Sequence, residues 1–407
     1  MSTIESIRSE FPALAQTVYG KPLVYLDNAA TSQRPKSVLD KLEEMSARTN
    51  ANIHRAVHKL ASDATAEYEA ARDAVKDFIG ARSREEIIFT SGTTGSLNLL
   101  AFCLGEAFIK PGDEILIAQS EHHSDIVPWQ LMAGRKGAFI KVLPVDDDGH
   151  LMVEKLPELA GPRTRIACVA QVSNVLGLKN PVKEIVNYCH SIDCITVVDG
   201  AQGIVHGRVG VQEMGCDFYA FSGHKMYAAT GTGVLYGRKE VLEQLPPYMG
   251  GGEMIQNVSF EKTTYAPLPA RFEAGTQNIA AVPTYIPAID FIRRTQSADI
   301  QREERAITAY VTKELTLLGA RIYGVPRNPE EKLPIFSFTI EGVHHEDLAL
   351  ILDKMGIAVR SGQMCAEPLM DRYGVSGMLR ASFAPYNTAT EAEYFIECLG
   401  KAVKMLK

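Results

Sequence analysis

The stretch Asp217-Phe-Tyr-Ala-Phe-Ser222-Gly-His224-Lys225 reads as an apolar strand that ends abruptly in a hydroxyl, an imidazole and an amine. A strand apolar on both alternating faces is covered on two sides, the habit of a parallel sheet. Open α/β sheets bind ligands at the carboxyl ends of their strands, which is where Ser222, His224 and Lys225 stand. A lysine there can form an imine with a carbonyl compound once its surroundings free the amine. Ser222 and His224 are placed to donate to a phosphate.

Upstream, Ile195-Thr-Val-Val-Asp199-Gly-Ala-Gln202 is a second buried strand closing on an acid. An acid on an apolar strand end is costly without a cationic partner. A protonated pyridine nitrogen would be that partner, and the ion pair would keep the ring electron-withdrawing. The plainer alternative is an acid capping the next helix.

Further outward, short β-branched runs alternate with helical stretches. Strands are expected at Ile87–Thr90, Glu114–Ala118, Ile140–Val145, Arg165–Gln171, Ile195–Asp199, Phe218–Phe221 and Gly233–Tyr236, with helices such as Ser96–Phe108 and Val182–Ser191 between them. Repeated β-α-β order predicts an α/β fold with a mostly parallel central sheet, helices on both faces and right-handed crossovers. After about Ile292 the pattern changes. A helix over Asp299–Leu318, strands at Ile335–Ile340, Ile357–Arg360 and Leu379–Phe383, and helices at Glu346–Met355 and Ala389–Leu406 predict a smaller α+β domain. The division expected is 23–292 for the large domain, with 1–22 and 293–407 forming the small one.

The totals agree with a two-domain globular protein: 407 residues, 46% hydrophobic and 22% charged, with a formal net charge of −7. Negative charge argues against a nucleic-acid partner. No stretch approaches the roughly 20 apolar residues of a membrane span, and the N-terminus lacks a signal-peptide core. The seven cysteines show neither CxxC pairs nor finger spacing, so no metal site is expected and a reducing cytoplasm fits best.

Other segments carry chemistry of their own. Ser91-Gly-Thr93-Thr94-Gly-Ser96 joins a strand to a helix, where backbone amides can cradle an anion. His122 and His123 are adjacent and point apart, which makes a shared metal implausible. Arg380 lies among Met378, Leu379, Ala381 and Phe383, so burial there demands an anion, either substrate or a structural acid. Cys365 sits in Arg360-Ser-Gly-Gln-Met-Cys365-Ala-Glu-Pro368, a loop punctuated by Gly and Pro.

Taken together, VDGAQ and FSGHK resemble the fold-type I pyridoxal-phosphate enzymes of the class V aminotransferase group. More narrowly the chain resembles the group II, SufS-type cysteine desulfurases along nearly its whole length. The resemblance is carried further by YLDNAATSQRP (Tyr25–Pro35), NIHRAVHKL (Asn52–Leu60), FTSGTTGSLN (Phe89–Asn98) and SEHHSDIVPWQ (Ser120–Gln130). VSNVLG (Val172–Gly177), RFEAGTQN (Arg271–Asn278), VRSGQMCAEP (Val359–Pro368) and RASFAPYNT (Arg380–Thr388) complete it. Two positions depart from the family pattern: Gln363-Met364 stands where relatives carry His-His or Gln-His, and Gly95 where many carry Glu.

The resemblance implies a fold-type I transferase that holds pyridoxal 5'-phosphate on Lys225. Asp199 would face the ring nitrogen, Gln202 the phenolic oxygen and His122 the ring face, with a part in proton transfer. Thr94, Ser222 and His224 would hold the phosphate. Gly275 and Thr276 would complete the phosphate site of a neighbouring chain, implying a homodimer with shared active sites. Asn174 and Arg380 would bind the substrate carboxylate, with Arg360 and His54 nearby; Arg is the residue for a bidentate fork. His123 is left as structural. The activity implied is conversion of L-cysteine to L-alanine with a persulfide on Cys365, its sulfur collected by a SufE- or SufU-like acceptor for iron–sulfur cluster assembly. Selenocysteine lyase activity is the alternative on the same groups. His344 and His345, in GVHHEDL, are read as a helix start with acceptor docking as the second possibility.

Overall fold

The protein is described here by a computed structural model covering residues 3–407. Its largest sheet has seven strands: β1 (Ile87–Thr90), β2 (Glu114–Ala118), β3 (Phe139–Leu143), β4 (Thr164–Ala170), β5 (Ile195–Asp199), β6 (Phe218–Ser222) and β7 (Gly233–Gly237). Their order is β1-β7-β6-β5-β4-β2-β3. Strands β2 to β6 run parallel, while β7 is antiparallel to both β6 and β1.

Side-chain alternation divides this sheet into two buried faces. Cys168, Val197, Phe218, Ala220 and Leu235 pack to one side, where Leu97, Leu100 and Leu104 of helix α1 (Thr93–Phe108) and Trp129 and Met132 of α2 (His123–Lys136) cover them. Val169, Val198, Tyr219, Phe221 and Tyr236 pack to the other, against Ile185, Val186 and Cys189 of α3 (Val182–Ser191) and Tyr68 and Val75 of the helix Lys59–Ile79. The inner strands are therefore largely apolar because neither face meets water, whereas the edge strand β3 carries Lys141 and leaves Phe139 and Val142 exposed. The expected strand Ile140–Val145 sits slightly earlier, since Pro144 has no N–H to continue the ladder.

A second, four-stranded antiparallel sheet contains β8 (Ala320–Tyr323), β9 (Ile335–Ile340), β10 (Arg360–Gly362) and β11 (Met378–Ser382), in the order β8-β9-β11-β10. Phe336, Phe338, Leu379 and Ala381 pack against Val311 of α4 (Ala298–Leu317), Leu352 of α5 (His345–Lys354) and Phe395 of α6 (Ala389–Leu406). A capping box between Thr388 and Glu391 fixes the start of α6. The single strand expected at Ile357–Arg360 is split. Ile357–Ala358 pairs in parallel with Val24–Tyr25, and Arg360–Gly362 turns to join β11.

The two cores interlock. Met364, Leu369, Tyr373 and Met378 enter the core of the large sheet. The N-terminal segment, expected to lean on the small domain, touches both: Ile7 of the helix Thr3–Arg8 and Phe11 and Leu14 after it join the large core, while Arg8 ion-pairs with Glu391 of α6.

Candidate active site

The carboxyl ends of β1, β2, β4, β5 and β6 surround a cavity of about 220 Å³ whose wall includes Lys225, Asp199, His122, Arg380 and Cys365. Strand β5 delivers Asp199 opposite Ala170 of β4 and Ala220 of β6, so the acid emerges from the middle of the sheet. Strand β6 ends at Ser222, and one tight turn over Gly223–Lys225 aims the lysine into the same space.

On one side lies the start of α1. The N–H of Thr93 donates to Ser222 Oγ at 2.8 Å, and the two hydroxyls are 2.7 Å apart. Thr94 Oγ1 lies 2.7 Å from Ser124 Oγ. Gly92, at φ 146°, passes so close to Gly233 that a Cβ on Gly233 would fall 2.4 Å from the Gly92 Cα. That close approach needs glycine and brings the α1 N-terminus to the sheet edge. A helix N-terminus flanked by Thr94, Ser222 and His224 suits a phosphate. Burial, and then Lys225 and Arg34, push His224 down to about 4; its Nδ1 lies 3.2 Å from Thr31 Oγ1.

Burial lowers the pKa of Lys225, against the opposing pull of Asp199, which favours the free amine that imine chemistry requires. Asp199 Oδ1 accepts the N–H of Ala201 at 2.7 Å, and the residue lines the cavity. His122 caps α2 by accepting the Ser124 N–H on Nδ1 at 3.0 Å, so its own proton sits on Nε2. Burial and then Lys225 push its pKa down to about 4, keeping the ring neutral.

Cys365 lies across the cavity on a strained turn. Met364 and Cys365 have φ of 54° and 56°, two successive non-glycine residues in the left-handed region, each costing about 1–3 kcal/mol. Three contacts hold the turn. Asn174 Nδ2 donates to the Met364 carbonyl at 2.9 Å, the His123 N–H donates to the Cys365 carbonyl at 2.7 Å, and His123 Nε2 accepts the Glu367 N–H at 3.1 Å. The Met364 side chain is sunk in the large core, while Cys365 is the exposed cysteine; the other six are buried.

Two arginines complete the wall. Arg360 of β10 and Arg380 of β11 stand opposite one another in register. Both donate to Asp27, Arg360 through Nε at 3.1 Å and Arg380 through Nη2 at 3.2 Å. Arg380 Nη1 donates to the Asn174 carbonyl at 2.9 Å, while its buried Nε has no partner among the described residues. Burial pushes Arg380 down to about 10, against the pull of Asp27. Two guanidiniums on one carboxylate leave one positive charge uncompensated, which is how a carboxylate site is built.

Several expected residues lie outside this cavity. Gln202 donates to the Ala29 carbonyl at 2.7 Å and lines a neighbouring void of about 20 Å³, which it shares with Lys225. His54 is not brought to the cavity by its own chain: it is exposed, 3.2 Å from Glu69, because Ile53 and not His54 turns into the core. Gly275 and Thr276 also lie apart; the Gly275 N–H donates to Gly252 at 3.0 Å. His344 caps α5, accepting the Glu346 N–H at 3.4 Å, the helix-start placement. Asp27 and the loop-holding contacts of His123 were missed. An acid directly after the apolar Val24–Leu26 run was the one available signal for Asp27.

A lone amine, a buried acid, an anion cradle and an arginine with an orphaned N–H are the groups that pyridoxal phosphate and an amino acid require, so the residues present fit that cofactor. The family described as Aminotransferase class-V matches residues 24–395. A probable cysteine desulfurase of Vibrio cholerae is 42% identical over 407 residues, covering 100% of both chains. Among solved structures, the cysteine desulfurase CsdA of Escherichia coli superposes with a TM-score of 0.91 at 37% identity, covering 100% of both chains. The apo cysteine desulfurase of Thermococcus onnurineus NA1 gives 0.91 at 38%, covering 97% of this chain and 99% of that one. With the fold, the cavity and these full-length matches in agreement, the chain belongs to the class V aminotransferase family of pyridoxal-phosphate enzymes and, within it, to the cysteine desulfurases.

Proposed function

We propose that this protein is a pyridoxal-phosphate-dependent cysteine desulfurase of the SufS type that converts L-cysteine to L-alanine and leaves the sulfur as a persulfide on Cys365. The observation that carries the reading is the shared cavity: Lys225, Asp199, Arg380 and Cys365 face one space. Bound pyridoxal phosphate supplies an aldehyde that captures amines and a protonated ring that withdraws electrons from the carbon next to the amine.

The chain's own residues do the rest. The α1 N-terminus, Thr94, Ser222 and His224 would hold the phosphate; Asp199 would face the ring nitrogen, His122 the ring face and Gln202 the phenolic edge. Lys225 would carry the cofactor and, as a free amine, would take the α-proton of the substrate. Arg380 and Asn174 orient the substrate carboxylate, with Arg360 beside them. Cys365 then presents its thiolate to the substrate sulfur: an S–S bond forms, the substrate C–S bond breaks, and the carbon skeleton leaves as alanine. The strained turn favours this role, since it fixes the thiol at the cavity mouth rather than leaving it on a loose loop.

The functional unit is a homodimer. Arg55 pairs with Glu253 at 3.0 Å and Gly275 bonds to Gly252, so the loops around His54, Gly252 and Gly275 adjoin. Val57 and Phe260 nearby in sequence are fully exposed, as surface awaiting a partner copy would be. Gly275, Thr276 and His54 would then serve the neighbour's site. The division 23–292 against 1–22 and 293–407 places Cys365 and both arginines on the small domain. A SufE- or SufU-like carrier would collect the sulfur for cluster assembly. The reducing cytoplasm suits a chain with six buried free thiols and one exposed.

The test is alanine formation from L-cysteine by the purified holoenzyme and by Lys225→Ala. Wild type should form alanine and absorb in the visible; the variant should do neither. Turnover retained by Lys225→Ala, or a wild type that consumes selenocysteine but not cysteine, would overturn the reading.

A further inference from the structure

Behind Asp199 lie two more acids that the chemistry above does not use. Asp125, in the first turn of α2, and Glu121, just before that helix, are both fully buried. Glu121 accepts the Ala170 N–H on both oxygens, at 3.0 and 3.1 Å. Asp125 Oδ1 accepts from the Cys168 thiol at 3.4 Å, and its Oδ2 has no partner among the described residues. Asp125 sits against Cys168, whose register partner Val197 lies two residues before Asp199 on the same face of β5, so its carboxyl is on the side of the sheet where Asp199 stands. Cys168 and Ala170 lie on β4, directly beside the strand that ends in Asp199.

The charged and titratable groups facing Asp125 are Asp199, Glu121, Cys168 and Lys225. Three carboxyls in one dry pocket cannot all be ionised, because each unpaired buried charge costs several kcal/mol. Asp199 alone faces the cavity and its cations, so the other two keep their protons. Burial, and then Asp199 and Glu121, push Asp125 well above the carboxylate range; burial pushes Glu121 up to about 8. A neutral carboxyl must place its proton, and with Oδ1 engaged by Cys168 the free Oδ2 is the donor.

We propose that Asp125 is a positioning residue: as a neutral acid it donates from Oδ2 to the Asp199 carboxylate and directs the charge of Asp199 at the cofactor ring nitrogen. This rests on the reading of Asp199 as the ring's partner. Donation favours the ionised form of Asp199, so the proton shared with the ring stays on the ring. Without the donor, Asp199 is more basic and draws that proton away. The ring then loses positive charge, and the bound cofactor holds its other titrating proton more tightly.

The experiment is a pH titration of the visible absorbance of the holoenzyme for wild type, Asp125→Asn, Asp125→Leu and Asp199→Asn. Asn keeps an N–H donor at the same place and should titrate with wild type; Asp125→Leu should move the midpoint up by about one pH unit. Asp125→Ala, read the same way, serves if the leucine variant does not fold. An Asp125→Leu or Asp125→Ala midpoint equal to wild type, while Asp199→Asn shifts, would overturn the proposal and leave the reading of Asp199 standing. An Asp199→Asn midpoint equal to wild type would remove that reading and this inference with it. Cofactor-free protein supplies an independent arm. The unfolded chain releases the Asp125 proton above the ordinary carboxylate range and the folded chain does not, so wild type should lose stability relative to Asp125→Asn as pH rises. Parallel stability curves would also overturn the proposal.

Discussion

The backbone N–H of His123 donates to the carbonyl oxygen of Cys365 at 2.7 Å, tying the turn that carries the exposed thiol to the helix start that carries His122. The imidazole of His123 then reaches on to the N–H of Glu367. One residue thus clamps both sides of a turn held in an unfavourable conformation.

His123→Ala keeps the backbone bond and loses the side-chain acceptor. A lost hydrogen bond of about 1 kcal/mol, at a turn that must hold its geometry, should slow sulfur release several-fold to about tenfold. The cofactor absorbance should not change, because His123 does not line the cavity. Spectra and alanine assays on the same preparation check both halves.

Asp27 is the countercharge of buried Arg380. Asp27→Asn leaves two guanidiniums without an anion, and removing one partner of a buried pair costs about 3–5 kcal/mol. The denaturation midpoint of the substrate-free enzyme should fall, and a carboxylate ligand should restore part of it by occupying the same guanidinium. A midpoint equal to wild type would remove Asp27 as the anchor of the arginine pair.

Glu121 has its folded pKa raised from 4.5 to about 8 by burial. The native state therefore binds a proton that the unfolded chain has released across that interval, so stability falls as pH rises from about 4.5 to 8. Glu121→Gln retains an oxygen for Ala170 and does not titrate, so its melting temperature should fall less over that range. Melting curves at pH 5 and pH 8 read the difference (about 5 and about 8 bracket the titration).

Much of this was legible in the sequence for a physical reason. Strands covered on both faces are continuous apolar runs, so their ends can be read directly; the placement of Asp199 and Lys225 at strand ends was legible that way. The motif around Cys365 marked the thiol. Side chains that act through contacts distant in sequence were not legible. Asp27 meets Arg360 and Arg380 only because Val24–Tyr25 pairs with Ile357–Ala358 and Asp27 itself bridges to Ser382. The backbone break between Ile357–Ala358 and Arg360–Gly362 was hidden for the same reason, since a continuous β-prone run does not show where it changes sheets. His54 sits in a loop with a family-like motif, and within one chain it meets Glu69 and not the cavity.

The most direct test of the central claim is to react wild type and Cys365→Ala holoenzymes with one equivalent of L-cysteine and weigh the intact proteins. Wild type should gain one sulfur atom, located on Cys365 and removed by a thiol reductant, with alanine formed in step; Cys365→Ala should keep its visible absorbance, gain no sulfur and form no alanine. Equal alanine from the variant, or sulfur found on another cysteine, would contradict the account.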